Sequence, residues 1–349
     1  MGSRSSFLDQ GSGLDSIIMR FFLTAPIILL LSLVSSATEK WSADRELMGT
    51  RFTIVCYTDD QVAAKNAVEA AFAIGEKVNA VASDYLPHSE LQQLASKPID
   101  TQISLTPFFY DLLEYSQGIA KATQGAFDPT LSPLTKLWRE ARERKHLPDP
   151  ERLSAARETV GWNYFTLDEK THSVTLLRKN MAFDLGGIAK GYAADLMLES
   201  LIAAKITQSM IVAGGDIRLG DPPPGRDGWH VAVQTFDLKK RDEILVLSNA
   251  AVSTSGDLHQ SVEIDGVAYS HILDPRTGLG LTQRIAATVI ADSGKISDPI
   301  ATAACVLGEE SSDSLKKIPG VREVKIRTLQ EDRVNSRLYE FSNPSYNEK

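Results

Sequence analysis

Phe183-Asp184-Leu185-Gly186-Gly187-Ile188-Ala189-Lys190-Gly191-Tyr192 is the stretch on which the fold turns. Apolar residues run into a paired-glycine turn, and a helix-forming segment follows to about Ala204. This is the pattern of a strand handing over to a helix N-terminus, whose unpaired N–H groups offer a seat for phosphate. Gly186 and Gly187 let phosphate oxygens approach the backbone; they would serve tight packing of helix on strand equally well. Lys190 brings a cation to the same helix end. The spacing is not that of a P-loop, and Gly278-Leu279-Gly280 lacks the third glycine of a dinucleotide fingerprint, which weakens a nucleotide triphosphatase or a dehydrogenase. The helix is apolar on most sides, which predicts burial.

Working outward, Ser297-Asp298-Pro299-Ile300-Ala301-Thr302-Ala303 is the second informative segment. Residues four apart share a helix face, so Asp298 and Thr302 would converge a carboxylate and a hydroxyl, both hard oxygen ligands suited to Mg²⁺. Taken alone, Asp298-Pro299 reads first as an N-cap followed by proline at N1, opening a helix through Val306. The densest polar cluster is Ser270-His271-Ile272-Leu273-Asp274-Pro275-Arg276-Thr277-Gly278. It offers His271 for acid–base work and Arg276 for phosphate, or else a strand end closed by a type I turn. Val252 to Asp257 reads as a polar nest after a strand or as a hydroxyl-turn loop. Tyr85, beside Pro87, could stack on an aromatic ring. Neither HExxH nor CxxC occurs, which argues against a zincin or a zinc ribbon.

The remaining pattern mixes helices and strands. Phe52 to Tyr57 is strand-like, and Val62 to Val81 is helix-periodic with Val68, Ala71, Phe72 and Val78 near one face. Thr106-Pro107 opens a helix, Gly125 to Pro129 turns the chain, and the charge-dense stretch from Trp138 to Pro150 reads as surface helix and loop. Strand patterns recur at Met210–Val212, Trp229–Thr235, Val262–Ile264, Ala286–Ile290, Val324–Ile326 and Leu338–Phe341. The 349 residues carry a formal charge of -8. That balance argues against a general nucleic-acid surface. Cys56 and Cys305, each in an apolar run, read as buried thiols.

The N-terminus reads as an export signal. Arg20 precedes a nearly continuous apolar run from Phe21 to Val34, and Ser35-Ser36-Ala37 supplies small residues for cleavage. An uncleaved anchor is the alternative, and only that would tie the protein to a membrane. Residues 1–37 are therefore expected to be extension and signal, 38–45 a linker, and 46–345 one α+β domain in the cell envelope.

In chain order, Met48-Gly49-Thr50, Ser83 to Leu91, Gly125 to Thr130, Phe183 to Asp195, Ala213 to Arg218, Val252 to Asp257, Ser270 to Gly278 and Ser297 to Ala303 form a pattern that resembles the ApbE family of FAD:protein FMN transferases. The resemblance implies a single compact α+β, T-fold-like domain after the signal segment. It implies cleavage of FAD, transfer of FMN to a threonine of an acceptor protein, and release of AMP. It further implies FAD contacts from Met48, Tyr85, Ala126, Phe127, Asp128, Asp184 and Lys190. Mg²⁺ would be held by the Gly187 carbonyl, Asp298 and Thr302, with His271 as base and Ile272 beside the pyrophosphate. Acceptors would be flavoproteins such as Rnf- or Nqr-type redox-pump subunits. Pro299 departs from the alanine common after the metal aspartate, and no lipobox cysteine follows the apolar run. An FAD pyrophosphatase, with water replacing threonine, and a non-catalytic envelope flavin-binding protein are the alternatives.

Overall fold

The structure, a computed structural model, describes residues 38–233, 242–256, 261–311, 315, 317–330 and 333–340. The signal-like segment, Thr235, Asp257, Phe341 and the expected domain end at 345 lie outside the described residues. No helix among the described residues is long and apolar enough to cross a membrane.

Eight strands form one antiparallel sheet: β1 (Glu39–Leu47), β2 (Thr50–Thr58), β3 (Ser209–Ala213), β4 (Asp216–Leu219), β5 (Ala251–Gly256), β6 (Arg284–Ala291), β7 (Val321–Gln330) and β8 (Arg333–Glu340). They lie side by side in chain order. Met48 and Gly49, at φ 51° and 72°, turn β1 into β2, the left-handed backbone that a two-residue hairpin requires. Residues 39–45, expected to be a linker, are most of β1, paired in register from Glu39↔Thr58 to Leu47↔Thr50. An edge strand is held by backbone bonds, and its many polar side chains hide the apolar signal. The segment at Val252 is likewise not a nest. It is β5, paired on both sides, with β4 and with β6.

Five helices matter to the site: α1 (Gln61–Ala82), α2 (Pro107–Ala122), α3 (Ser132–Arg144), α4 (Ala189–Ala203) and α5 (Gly294–Leu307). Asp60 caps α1, accepting from the Val62 and Ala63 amides at 2.9 Å each. That helix buries Val68, Ala71, Phe72 and Val78 as its periodicity predicts. Helix α4 packs against α1, α5, β3 and β4, and α5 lies across β5 and β6. Helix on one side and sheet on the other explain why α4 is apolar on most sides. The opposite sheet face is covered by the hairpin Trp229–Val233 and Glu243–Leu247, which seats Trp229 and Val231 against Val55, Leu219, Val252 and Ile290. Glu243 anchors that hairpin to β7 through Lys325 and, at 2.7 Å, Arg327. Cys56 on β2 and Cys305 on α5 are buried and form no disulfide.

Two helix readings need correction. Helix α5 begins at Gly294, so Asp298 is interior and Pro299 stands inside the helix rather than at N1. Its first amides are closed by a distant side chain, Asp195 of α4, and no local motif announces that. The stretch from Trp138 to Pro150 begins inside α3 and runs past its end, and it is not all surface. Trp138 is 1% exposed and packs with Leu134, Ala141, Ile264 and Leu273, while Glu143 and Arg144 face out.

Candidate active site

A cleft of about 750 Å³ opens beside the N-termini of α4 and α5, a volume suited to a small-molecule ligand. It collects Tyr85, Ala126, Phe127, Asp128, Asp184, Gly187, Lys190, His271, Ile272, Asp298 and Thr302 on its walls. Met48 and Arg276 are sequence-predicted residues that do not line it. Met48 sits in the β1–β2 turn, partly buried and packed against the main hydrophobic core.

Beside the cleft, α4 and α5 touch backbone to backbone. A Cβ on Gly191 would stand 2.2 Å from the Gly294 carbonyl oxygen, and one on Gly294 would stand 2.4 Å from that of Gly191. Only glycine at both positions allows this approach. The Gly191 amide then donates to Asp298 Oδ2 at 3.1 Å. Lys190 Nζ lies 3.4 Å from Asp298 Oδ2, 3.1 Å from Asp216 Oδ2 and 3.1 Å from the Gly186 carbonyl. Lys190 was expected to face a phosphate; its ammonium is instead turned on two carboxylates. Burial first, and the charge of Asp216 second, push the Asp298 carboxyl above the usual range, while Lys190 and the Gly191 amide oppose the shift. Burial alone would lower the Lys190 ammonium, yet Asp216 and Asp298 raise it on balance.

This arrangement passes a physical test for a hard divalent cation. Two carboxylates, 4% and 3% exposed, face one ammonium. With one counter-charge for two buried carboxylates, Asp298 holds its proton more readily than usual, and a divalent cation there would favour the charged form instead. One helical turn from Asp298, the Thr302 hydroxyl lies 3.3 Å from Ser255 Oγ. The Cβ position of Gly187 lies 3.4 Å from Thr302 Oγ1, so the Gly187 backbone reaches the same spot. All the donors are oxygens, as Mg²⁺ prefers. Among the described residues no cluster of three or more His, Cys, Asp or Glu could hold a metal. Mg²⁺ commonly uses one or two carboxylates and completes its shell with water and substrate phosphate.

His271 enters from the facing wall. Trp138 Nε1 donates to the Ser270 carbonyl at 3.1 Å, and the Ile272 amide donates to Ser270 Oγ at 3.0 Å. A Cβ on Gly280 would meet the Ser270 carbonyl at 2.2 Å and the Trp138 ring at 2.5 Å. The indole therefore acts as a shelf under the histidine segment. Arg276, expected as a phosphate ligand, is turned on Asp274 through Nε at 2.9 Å and Nη2 at 2.8 Å, outside the cleft walls.

Asp128 Oδ1 accepts from the Thr130 amide at 2.8 Å and its hydroxyl at 2.6 Å, and Oδ2 accepts from the Trp162 amide at 3.0 Å. Burial raises its carboxyl and these bonds oppose the rise. Asp128 thus shapes the wall turn. Asp184 Oδ1 accepts from the Gly186 amide at 3.0 Å, bracing the glycine turn. Tyr85 is 75% exposed, with the Arg139 guanidinium 4.7 Å from its ring centroid. Sequence reasoning missed Asp216 and Arg139 as cleft residues. Asp216 lay within the Ala213-Gly214-Gly215-Asp216 motif, where a carboxylate directly after a glycine turn was the available signal.

A family model described as the ApbE family matches residues 48–324. The chain belongs to the ApbE family. Among curated ApbE relatives, a protein of Vibrio cholerae named FAD:protein FMN transferase is 30% identical over 301 residues, 84% of this chain and 89% of the relative. A Treponema pallidum protein of the same name is 30% identical, over 81% of this chain and 83% of its own. The solved structure of the flavin transferase ApbE from Vibrio cholerae superposes with a TM-score of 0.79 at 26% identity, covering 88% of this chain and 99% of that one. The apo Pseudomonas stutzeri flavinyl transferase gives 0.77 at 24% identity, over 86% and 95%, which shows the shared α+β fold.

Proposed function

We propose that this protein is a Mg²⁺-dependent FAD:protein FMN transferase: it cleaves the FAD pyrophosphate, joins FMN through a phosphoester to a threonine of an acceptor flavoprotein, and releases AMP. The observation that carries the reading is the convergence in one cleft of a glycine turn, a buried acidic pair with a hydroxyl, and a histidine. Family membership and the names of the curated relatives support it.

The chain's residues divide the work. Phe127, Ala126 and Tyr85 offer apolar and aromatic surface for a flavin or adenine ring. Gly186 and Gly187, ahead of α4, present a backbone without side chains to the pyrophosphate. Asp298, Thr302 and the Gly187 carbonyl would hold Mg²⁺, which when bound neutralises phosphate charge and polarises phosphorus. His271, held by the Trp138–Ser270 contact, would take the proton from the acceptor threonine. The threonine oxygen then forms the new bond to the FMN-side phosphorus, the bond to the bridging oxygen breaks, and AMP carries that oxygen away.

We also propose that residues 1–37 direct the protein to the cell envelope and that its acceptors are redox-pump subunits of the Rnf or Nqr type. The Arg20 flank, the apolar run and Ser35-Ser36-Ala37 motivate the export reading, and the family resemblance motivates the acceptor class. The deciding experiment incubates mature protein with FAD, Mg²⁺ and a candidate acceptor, then weighs the acceptor intact. A gain equal to FMN less one water, lost on adding chelator, is expected. Free FMN and AMP with an unmodified acceptor would overturn transfer in favour of hydrolysis.

A further inference from the structure

Helices α4 and α5 each lack a side-chain cap of their own: neither Ile188 nor Ser293 makes one. They cap each other instead. Asp195, on α4 and 5% exposed, accepts from the Gly294 amide through Oδ1 at 2.8 Å and from the Lys295 amide through Oδ2 at 2.9 Å. In return, Asp298 on α5 accepts the Gly191 amide of the first turn of α4. Arg218 fixes Asp195 from below, with Nε 2.8 Å from Oδ1. Its Nη1 donates to the Leu219 and Ala250 carbonyls at 2.9 and 3.1 Å, which ties the carboxylate to the sheet. Neither Asp195 nor Arg218 lines the cleft.

We propose that Asp195, held by Arg218, is a positioning residue for the metal ligands: by closing the first turn of α5 from α4, it fixes where Asp298 and Thr302 stand. The inference rests on the reading that those two residues hold Mg²⁺. Gly294 is four residues before Asp298, so the cap acts about 6 Å along the helix axis from the ligand. The two amides, that of Gly294 buried, would otherwise be donors without acceptors at a helix end. A carboxylate suits the position because three N–H donors converge on it and it has only acceptors to offer. Asparagine keeps the size, but its NH₂ would have to face one of those donors.

The test compares full-length wild type, Asp195→Asn and Asp298→Asn. Mg²⁺ binding is read from the rise of the melting temperature with Mg²⁺ and by calorimetry with FAD present; FAD binding in chelator and hydrogen exchange of the α5 N-terminal peptide are read alongside. For Asp195→Asn we expect faster exchange in that peptide, at least tenfold weaker Mg²⁺ binding, and FAD affinity in chelator within about threefold of wild type. Saturating Mg²⁺ should return kcat most of the way to wild type, which a general loss of folded protein would not allow. Mg²⁺ affinity within twofold of wild type in Asp195→Asn, but lost in Asp298→Asn, overturns the positioning role and leaves the metal reading intact. Affinity unchanged in both variants overturns the metal reading and the inference with it. Should Asp195→Asn fail to fold, Arg218→Gln takes its place with the same outcomes, because it loosens the carboxylate while leaving both cap acceptors.

Discussion

Gly191→Ala asks the most of the geometry described above. The new methyl would stand 2.2 Å from the Gly294 carbonyl oxygen, 2.5 Å from its carbon and 2.9 Å from Asp298 Cβ, where ordinary contact begins at 3.4 Å. The nearest atoms are backbone and cannot rotate away, so α4 and α5 must part by about 1.2 Å. Overpacking of this kind costs up to about 3 kcal/mol. Alanine returns about 1 kcal/mol of helix propensity, leaving a net loss near 2 kcal/mol. In a domain of this size that lowers Tm by about 3 °C. The catalytic cost is larger, because the separation acts where Asp298 meets Gly191 and Lys190, and a displacement of about 1 Å can lower a rate about 100-fold. Thermal melts and single-turnover FMN transfer measure the two effects separately. Gly118→Ala is the control, since a Cβ there meets nothing within 4 Å, and it should leave both readings at or above wild type. If Gly191→Ala melts within about 1 °C of wild type and transfers at the wild-type rate, the backbone contact does not build the site.

Asp298→Asn keeps an acceptor for the Gly191 amide but loses the charge facing Lys190, so it should fold, need at least about tenfold more Mg²⁺ and transfer slowly; Thr302→Val should shift the Mg²⁺ titration the same way by less. His271→Ala should keep FAD affinity within a few-fold and lose about 100- to 10,000-fold in single-turnover transfer; near-wild-type transfer would remove it as the base. Trp138→Phe strands the buried Ser270 carbonyl and should cost about 1–3 kcal/mol in a denaturant melt, with kcat falling further than that loss of folded protein explains. Calorimetry should find FAD bound much more tightly than ATP or NAD, and equal affinities would contradict a flavin-shaped cleft.

Sequence carried the site further than it carried its connections. The glycine turn at Gly186-Gly187, the histidine segment and the Asp298/Thr302 spacing were legible because each is local, a few residues with one backbone requirement. What could not be read was side-chain aim. Lys190 and Arg276 both looked like phosphate ligands, and both are turned on aspartates, Lys190 on residues 26 and 108 positions away. The start of α5 was misread because its cap comes from Asp195, about 100 residues earlier, so Asp298-Pro299 offered the only local N-terminal signal. Strand β1 escaped notice for the opposite reason: its partner β2 is adjacent, but its own side chains are mostly polar.

The order of the sheet sets a timetable for making the protein. Strands β1 and β2 finish at Thr58, yet the next strand across, β3, begins at Ser209, 150 residues later. At about 5–20 residues per second, the outer edge of β2 waits roughly 8–30 s for its neighbour to be synthesised. Helix α1, next in the chain, already packs on this hairpin. It can shield the apolar face of Phe52, Ile54 and Cys56, but it cannot satisfy the open row of backbone donors and acceptors. The nascent chain thus carries an unfinished sheet margin through nearly half its length, and the pairing of Phe52 with Ala213 closes a loop that no earlier contact can replace.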